Sequence, residues 1–139
     1  MIYKGDIKPI DDSPLRELNA THIQQMLALT KLTNPGPFKE RTIEFGHYRG
    51  IFDGDKLVAM AGQRMNPLPY AEISAVCTHP DYAGRGYAKL LMQQQINRIT
   101  SEGNVPFLHV RRDNPHAIKI YEGMGFETRT VMHFYIIGK

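Results

Sequence analysis

The chain has a single cysteine, Cys77. No internal disulfide can form, and such sparing use fits a reducing compartment, the cytoplasm. No apolar run approaches the ~18 residues of a membrane span, so no membrane partner is expected. The first fifteen residues carry Lys4, Asp6, Lys8, Asp11 and Asp12 without an apolar stretch, which argues against a secretory signal. Charge of one sign is also scarce, with 17 Lys and Arg against 14 Asp and Glu, a formal +3. That excess suits an anionic small molecule and is too weak and scattered for nucleic acid. Neither His79 nor His109 has a second ligand at metal spacing, so no metal site is expected. Repeats, low-complexity tracts and internal linkers are absent.

What is present suits one domain. The 139 residues are 42% hydrophobic and 22% charged, enough for a proper core in a soluble globular fold. Residues 1–14 read as an N-terminal extension with a brief extended piece, and residues 15–139 as a single domain. Leu15 to Leu18 suits a short strand. Asn19 suits the N-cap of a helix over about Ala20–Leu32, which Asn34-Pro35-Gly36-Pro37 stops. Tyr48–Phe52 and Lys56–Gln63 read as a hairpin turning at Asp53-Gly54, and Ala71–Thr78 as the next strand. Ala88, Leu91, Met92, Ile96 and Ile99 have the spacing of one helical face, with Gly103 where the helix should stop. Val105–Val110 reads as a buried strand, Asn114 as the cap of a short helix ending at Gly123 or Gly125, and Arg129–Ile137 as a final strand. This order implies a mixed α/β fold with an antiparallel front half.

The richest stretch runs from Val76 to Leu91. A strand ends at Thr78, Pro80 stops it, and Gly84 and Gly86 form a sharp turn just before a helix. Glycines leave backbone N–H groups uncovered, and the positive end of a helix favours phosphate. Two familiar phosphate motifs are excluded: Tyr87-Ala88 stands where a P-loop needs Lys-Ser/Thr, and Lys89 stands where the dinucleotide fingerprint needs its third glycine.

Ala83-Gly84-Arg85-Gly86-Tyr87-Ala88 resembles the Arg/Gln-x-x-Gly-x-Gly/Ala loop of the GNAT superfamily of acetyl-CoA-dependent N-acetyltransferases. Asn114-Pro-His-Ala117-Ile-Lys-Ile-Tyr121-Glu-Gly-Met-Gly125-Phe126 resembles that family's N-x-x-A-x-x-x-Y-x-x-x-G-F segment. One helix and one strand separate the two, as in the family, and the resemblance covers about residues 15–137. Gly36-Pro37-Phe38, Ala59-Met60-Ala61-Gly62-x-Arg64-Met65, Ser74 to Pro80 and Phe107-Leu108-His109-Val110 are similar to a bacterial branch with no assigned acceptor. The resemblance implies a mostly antiparallel twisted sheet flanked by helices. The sheet is splayed between the strand ending at Thr78 and the one over Phe107–Val110, the fourth and fifth from Leu15.

It also implies the chemistry. An acetyl group would pass from acetyl-CoA to a primary amine of an unidentified small molecule or protein, by direct attack in a ternary complex. Val76, Cys77 and Thr78 would hydrogen-bond pantetheine through their backbone, and Ala83 to Ala88, with Asn114 and Ala117, would hold the rest of the cofactor. Ala83 departs from the family's Arg or Gln and removes one side-chain contact, for which Arg85, Lys89, Arg111 and Arg112 are candidate substitutes. Tyr121 would lie near the sulfur, both binding the cofactor and protonating the leaving thiolate; its other reading is an aromatic packing the helix. Glu72 is the candidate base, directly with a raised pKa or through water; its other reading is a solvated edge carboxylate. His79 reads as structural, His109 as a hydrogen-bonded core histidine, and Cys77 as a small hydrophobe rather than a nucleophile. The Thr33–Phe38 loop would wall the acceptor pocket, and homodimers are common in the superfamily. The competing reading is a non-catalytic acyl-CoA-binding or regulatory domain of the same fold.

Overall fold

The hairpin at Asp53-Gly54 is the spine of the sheet. Gly54 has φ +61°, the left-handed conformation such a turn requires, and it joins β3 (Arg49–Asp53) to β4 (Lys56–Gln63). A computed structural model describes residues 1–33, 47–64, 69–110 and 113–128. The expected strand over 129–137, the loop at 34–38 and Arg111 and Arg112 lie outside the described residues.

The remaining elements are β1 (Ile2–Tyr3), β2 (Arg16–Glu17), α1 (Ile23–Thr33), β5 (Tyr70–Thr78), α2 (Tyr87–Ser101), β6 (Val105–Phe107), α3 (Pro115–Met124) and β7 (Phe126–Glu127). They form one seven-stranded sheet in the order β2-β3-β4-β5-β6-β1-β7. Every pairing is antiparallel except β5 with β6. The mixed, mostly antiparallel sheet matches the expected fold class.

Local chemistry explains the boundaries. Asn19 caps the chain's first helical turn, its Oδ1 accepting from the Thr21 N–H at 2.9 Å, while the Asn19 N–H donates to His22 Nδ1 at 3.0 Å. Gly103, at φ +81°, ends α2. The strand expected over Val105–Val110 is regular only to Phe107. Beyond it, the Leu108 N–H is taken by the Met1 carbonyl at 2.9 Å.

Two layers of apolar packing cover the sheet. Ala71 and Ile73 of β5 pack with Met92, Ile96 and Ile99 of α2, and Tyr3, Met124 and Phe126 join them. On the other face, Met26 and Leu29 of α1 pack with Tyr48, Leu57, Met60 and Cys77. Gln95, fully buried on α2, donates to the His47 carbonyl at 2.6 Å and accepts from Arg98 at 2.8 Å. A buried amide needs such partners.

The brief extended piece expected near the N-terminus is β1, and its position is informative. It lies inside the sheet, between β6 and β7, with Ile2 opposite both Phe107 and Glu127. Tyr3 is 4% exposed, and its ring meets Phe126 edge-on at 5.3 Å. Tyr3 is therefore part of the core, with Met1 packed against it.

Candidate active site

β5 carries the site, and a bulge shapes it. Met60 pairs with Cys77 but Gly62 pairs with Ser74, so β5 has one residue more than β4 across that interval. Ala75 takes up the excess at φ +55°. A bulge bends its strand and strengthens its twist. Correspondingly, β5 pairs with parallel β6 only over Tyr70–Glu72 and Val105–Phe107. From residue 73 to 78, no strand among the described residues pairs with the β6-side edge of β5. Val76, Cys77 and Thr78 lie on this stretch, where the sequence placed the splay.

The edge leads directly into the glycine turn. His79 caps a short turn over Pro80–Tyr82, its Nδ1 accepting from the Asp81 N–H at 3.1 Å, so its role there is structural. Ala83 is extended and exposed. Gly84 and Gly86 have φ of +80° and +79°, and a Cβ at either would meet nothing within 4 Å. α2 starts at Tyr87 with no side chain capping it. The start of this long helix thus has no side-chain cap, and the exposed glycine turn at its positive end fits a diphosphate. The Arg85 guanidinium lies 4.8 Å over the Tyr82 ring, beside the turn, and Ala88 follows half-buried.

The second motif has a mainly structural skeleton. Asn114 caps α3, its Oδ1 accepting from the Ala117 N–H at 3.2 Å, and Gly125 ends the helix at φ +110°. These fix the register of Tyr121, which packs against the core with its ring 6.2 Å from Phe126. Burial raises the pKa of its phenol, keeping the O–H protonated at neutral pH. Burial likewise pushes the Cys77 thiol up to about 11, far from a nucleophile's range.

Glu72 is 2% exposed, so it is not a solvated edge carboxylate. By strand alternation its side chain lies opposite Ala71 and Ile73, away from α2. Arg64 grips both carboxylate oxygens, Nε to Oε1 at 3.1 Å and Nη2 to Oε2 at 2.9 Å. His109 Nδ1 reaches Oε2 at 2.6 Å. Burial alone would raise the Glu72 pKa; the hydrogen bonds from His109 and Arg64, with the Arg64 charge, outweigh it and hold the carboxyl below the ordinary glutamate value.

Arg64 received no role from the sequence, although a signal existed. Gln63 pairs with Ile73 and the Arg64 N–H donates to the Glu72 carbonyl at 3.0 Å, so Arg64 and Glu72 are the next cross-strand pair, of opposite charge. Among the described residues, no group of three or more His, Cys, Asp or Glu is placed to hold a metal ion. No helix there is long and apolar enough to cross a membrane.

Residues 48–135, which include both motifs, match the FR47-like protein family. The chain belongs to this family of GNAT acetyltransferases. It is 40% identical to a GNAT-family protein of Novosphingobium aromaticivorans whose structure is solved, with a TM-score of 0.88 over 92% of this chain and 58% of that one. It is 32% identical over 93 residues to the N-alpha-acetyltransferase RimI of Mycobacterium tuberculosis, covering 64% of this chain and 57% of the relative. It is 27% identical over 124 residues to the ribosomal protein bS18-alanine N-acetyltransferase of Salmonella typhimurium, covering 85% and 83%. The chain thus spans less than three fifths of the first two proteins and most of the third.

Proposed function

We propose that the protein transfers an acetyl group from acetyl-CoA to a primary amine. One observation carries the reading: β5 and its parallel partner β6 part after Glu72 and Phe107, and β5 runs from there to the exposed glycine turn at Gly84–Gly86 and the uncapped start of α2. Pantetheine would lie along residues 76–78 as an added strand, and the diphosphate would sit on the amides that open α2, with Arg85 at hand in place of the contact Ala83 lacks. Preorganised backbone dipoles would polarise the thioester carbonyl, and the cleft would hold amine and thioester in line. Tyr121 would give its proton to the departing thiolate. Glu72, with the groups that hold it, would serve proton removal from the amine.

The acceptor is a primary amine of a small molecule or of a protein. One relative is named an N-alpha-acetyltransferase and another a ribosomal protein bS18-alanine N-acetyltransferase, so a peptide with N-terminal alanine is the first acceptor to try. The reading places the enzyme in the cytoplasm, consistent with Cys77 as the chain's sole thiol. Two measurements test it together. Calorimetry should show CoA binding that ATP and NAD do not compete away, and thiol release from acetyl-CoA should depend on an added amine. Binding without turnover across a broad amine panel would favour a non-catalytic acyl-CoA-binding domain.

A further inference from the structure

We propose that Tyr82 is a positioning residue for the cofactor. Latched to Asp53 of the β3–β4 hairpin, its ring holds the Arg85 guanidinium beside the glycine turn, where that guanidinium takes the diphosphate of CoA. This rests on the acetyl-transfer reading and deepens it, because it names what readies the side chain that replaces the contact Ala83 lacks.

Tyr82 is anchored at several points. It ends the short turn over Pro80–Tyr82, and its N–H donates to the His79 carbonyl at 2.9 Å. His79 is tied to the sheet in turn, its N–H donating to the Val58 carbonyl of β4 at 2.7 Å. The Tyr82 ring is half-buried against the cluster of Ile51, Val58, Ala59, Ala61 and Leu91. The His79 ring meets it edge-on at 5.8 Å. Its hydroxyl donates to the Asp53 carboxylate, 29 residues earlier in the chain. That bond raises the Tyr82 pKa, so the hydroxyl keeps its proton at neutral pH.

Arg85 is the opposite case. It lies between the left-handed Gly84 and Gly86, is exposed, and makes no ion pair among the described residues. An exposed arginine samples many rotamers and must lose that freedom to hold a ligand. Here the guanidinium lies over the Tyr82 ring, 4.8 Å from its centroid, within the range of a cation–π contact. Stacking engages the face of a guanidinium and leaves its N–H edge to donate to two oxygens of a phosphate.

The nearby carboxylates leave that charge to a ligand. The Tyr82 hydroxyl engages Asp53. Asp81 turns to His79 instead, its Oδ2 3.9 Å from Nδ1. The Lys56 ammonium adds a second positive charge, 5.8 Å from the centroid of the same ring. The diphosphate is favoured over the 3′-phosphate of CoA because Arg85 belongs to the turn itself, one residue before the glycine that opens α2.

Calorimetric titration with CoA and with dephospho-CoA, which lacks only the 3′-phosphate, tests the proposal. Arg85→Ala should weaken both ligands about tenfold or more, the loss of a charge-assisted contact. Tyr82→Leu should weaken both about threefold, and Tyr82→Phe, which keeps the ring, should recover part of that. Adding Tyr82→Leu to Arg85→Ala should cost no further affinity, because Tyr82 acts through Arg85. Unchanged CoA affinity in Arg85→Ala would overturn the proposal, and a loss confined to CoA would overturn it in favour of the 3′-phosphate. So would a Tyr82→Leu penalty that is the same with and without Arg85, or a Tyr82→Phe no better than Tyr82→Leu. If wild type binds neither ligand, the acetyl-transfer reading falls and the proposal with it. If wild type and variants bind alike, the proposal alone falls. Melting curves ensure that affinities are compared in folded protein, and Arg85→Ala, at an exposed position, decides the matter even if Tyr82→Leu unfolds.

Discussion

Gly86→Val separates the cost of a strained backbone from the loss of a ligand site. Gly86 sits at φ +79° with nothing within 4 Å of a Cβ built on it. The substitution therefore meets no steric neighbour in the fold, and its structural cost is that of a β-branched residue in the left-handed region, about 1–3 kcal/mol. For a chain of this size that is a fall in Tm of roughly 3–10 °C, which leaves the protein folded at 25 °C. The valine methyls would, however, occupy the space over the amides that open α2. Losing two hydrogen bonds to a charged diphosphate, at about 1.5–3 kcal/mol each, weakens CoA binding by roughly a hundredfold or more. Gly54→Val is the matched control, because Gly54 is also left-handed and open, at φ +61°, but lies in the β3–β4 hairpin. Calorimetry with CoA should find the affinity lost in Gly86→Val and kept in Gly54→Val, with similar melting shifts. Unchanged CoA affinity in Gly86→Val would refute the placement of the cofactor.

Three other perturbations probe separate parts of the account. Tyr121→Phe should lower kcat by about 10²-fold or more if the phenol is the acid, with CoA affinity unchanged; an unaltered kcat assigns Tyr121 to packing. Glu72 titrates below its unfolded value, near 4.3, so the stability it contributes is complete above that value and is lost as pH falls through the lower folded one. Urea melts from pH 7 down to pH 3 should show this loss, and Glu72→Gln should flatten the slope in that window. Tyr3→Ala should cost about 3–5 kcal/mol, as for a large buried aromatic, measured by denaturant unfolding; a silent substitution would mean that β1 is not part of the core.

How much of this was legible depended on how local each signal is. The hairpin was readable because Gly54, just after the last paired residue Asp53, supplies the turn conformation, and α2 because five apolar residues repeat at helical spacing. β1 was not readable as a sheet member: two residues, Ile2 and Tyr3, carry no period, and their place is set by Phe107, Phe126 and Glu127 far along the chain. The bulge was hidden for a related reason. Alanine has no preference for positive φ, so Ala75 gives no sign of it; the sheet imposes the conformation. Glu72 was singled out from its place on β5, but its environment was not, because Arg64 and His109 reach it from two other segments. Only the assembled register shows a buried, triply bonded carboxylate where an exposed one had been an equal alternative.

The central claim is that this cleft moves an acetyl group onto an amine nitrogen. Mass spectrometry tests it most directly, on an N-terminal-alanine peptide and a panel of small primary amines incubated with acetyl-CoA and the protein. The account predicts an acceptor gaining one acetyl group, in step with free CoA thiol and only with the protein present. CoA bound at the glycine turn with no acetylated amine anywhere in the panel would contradict it.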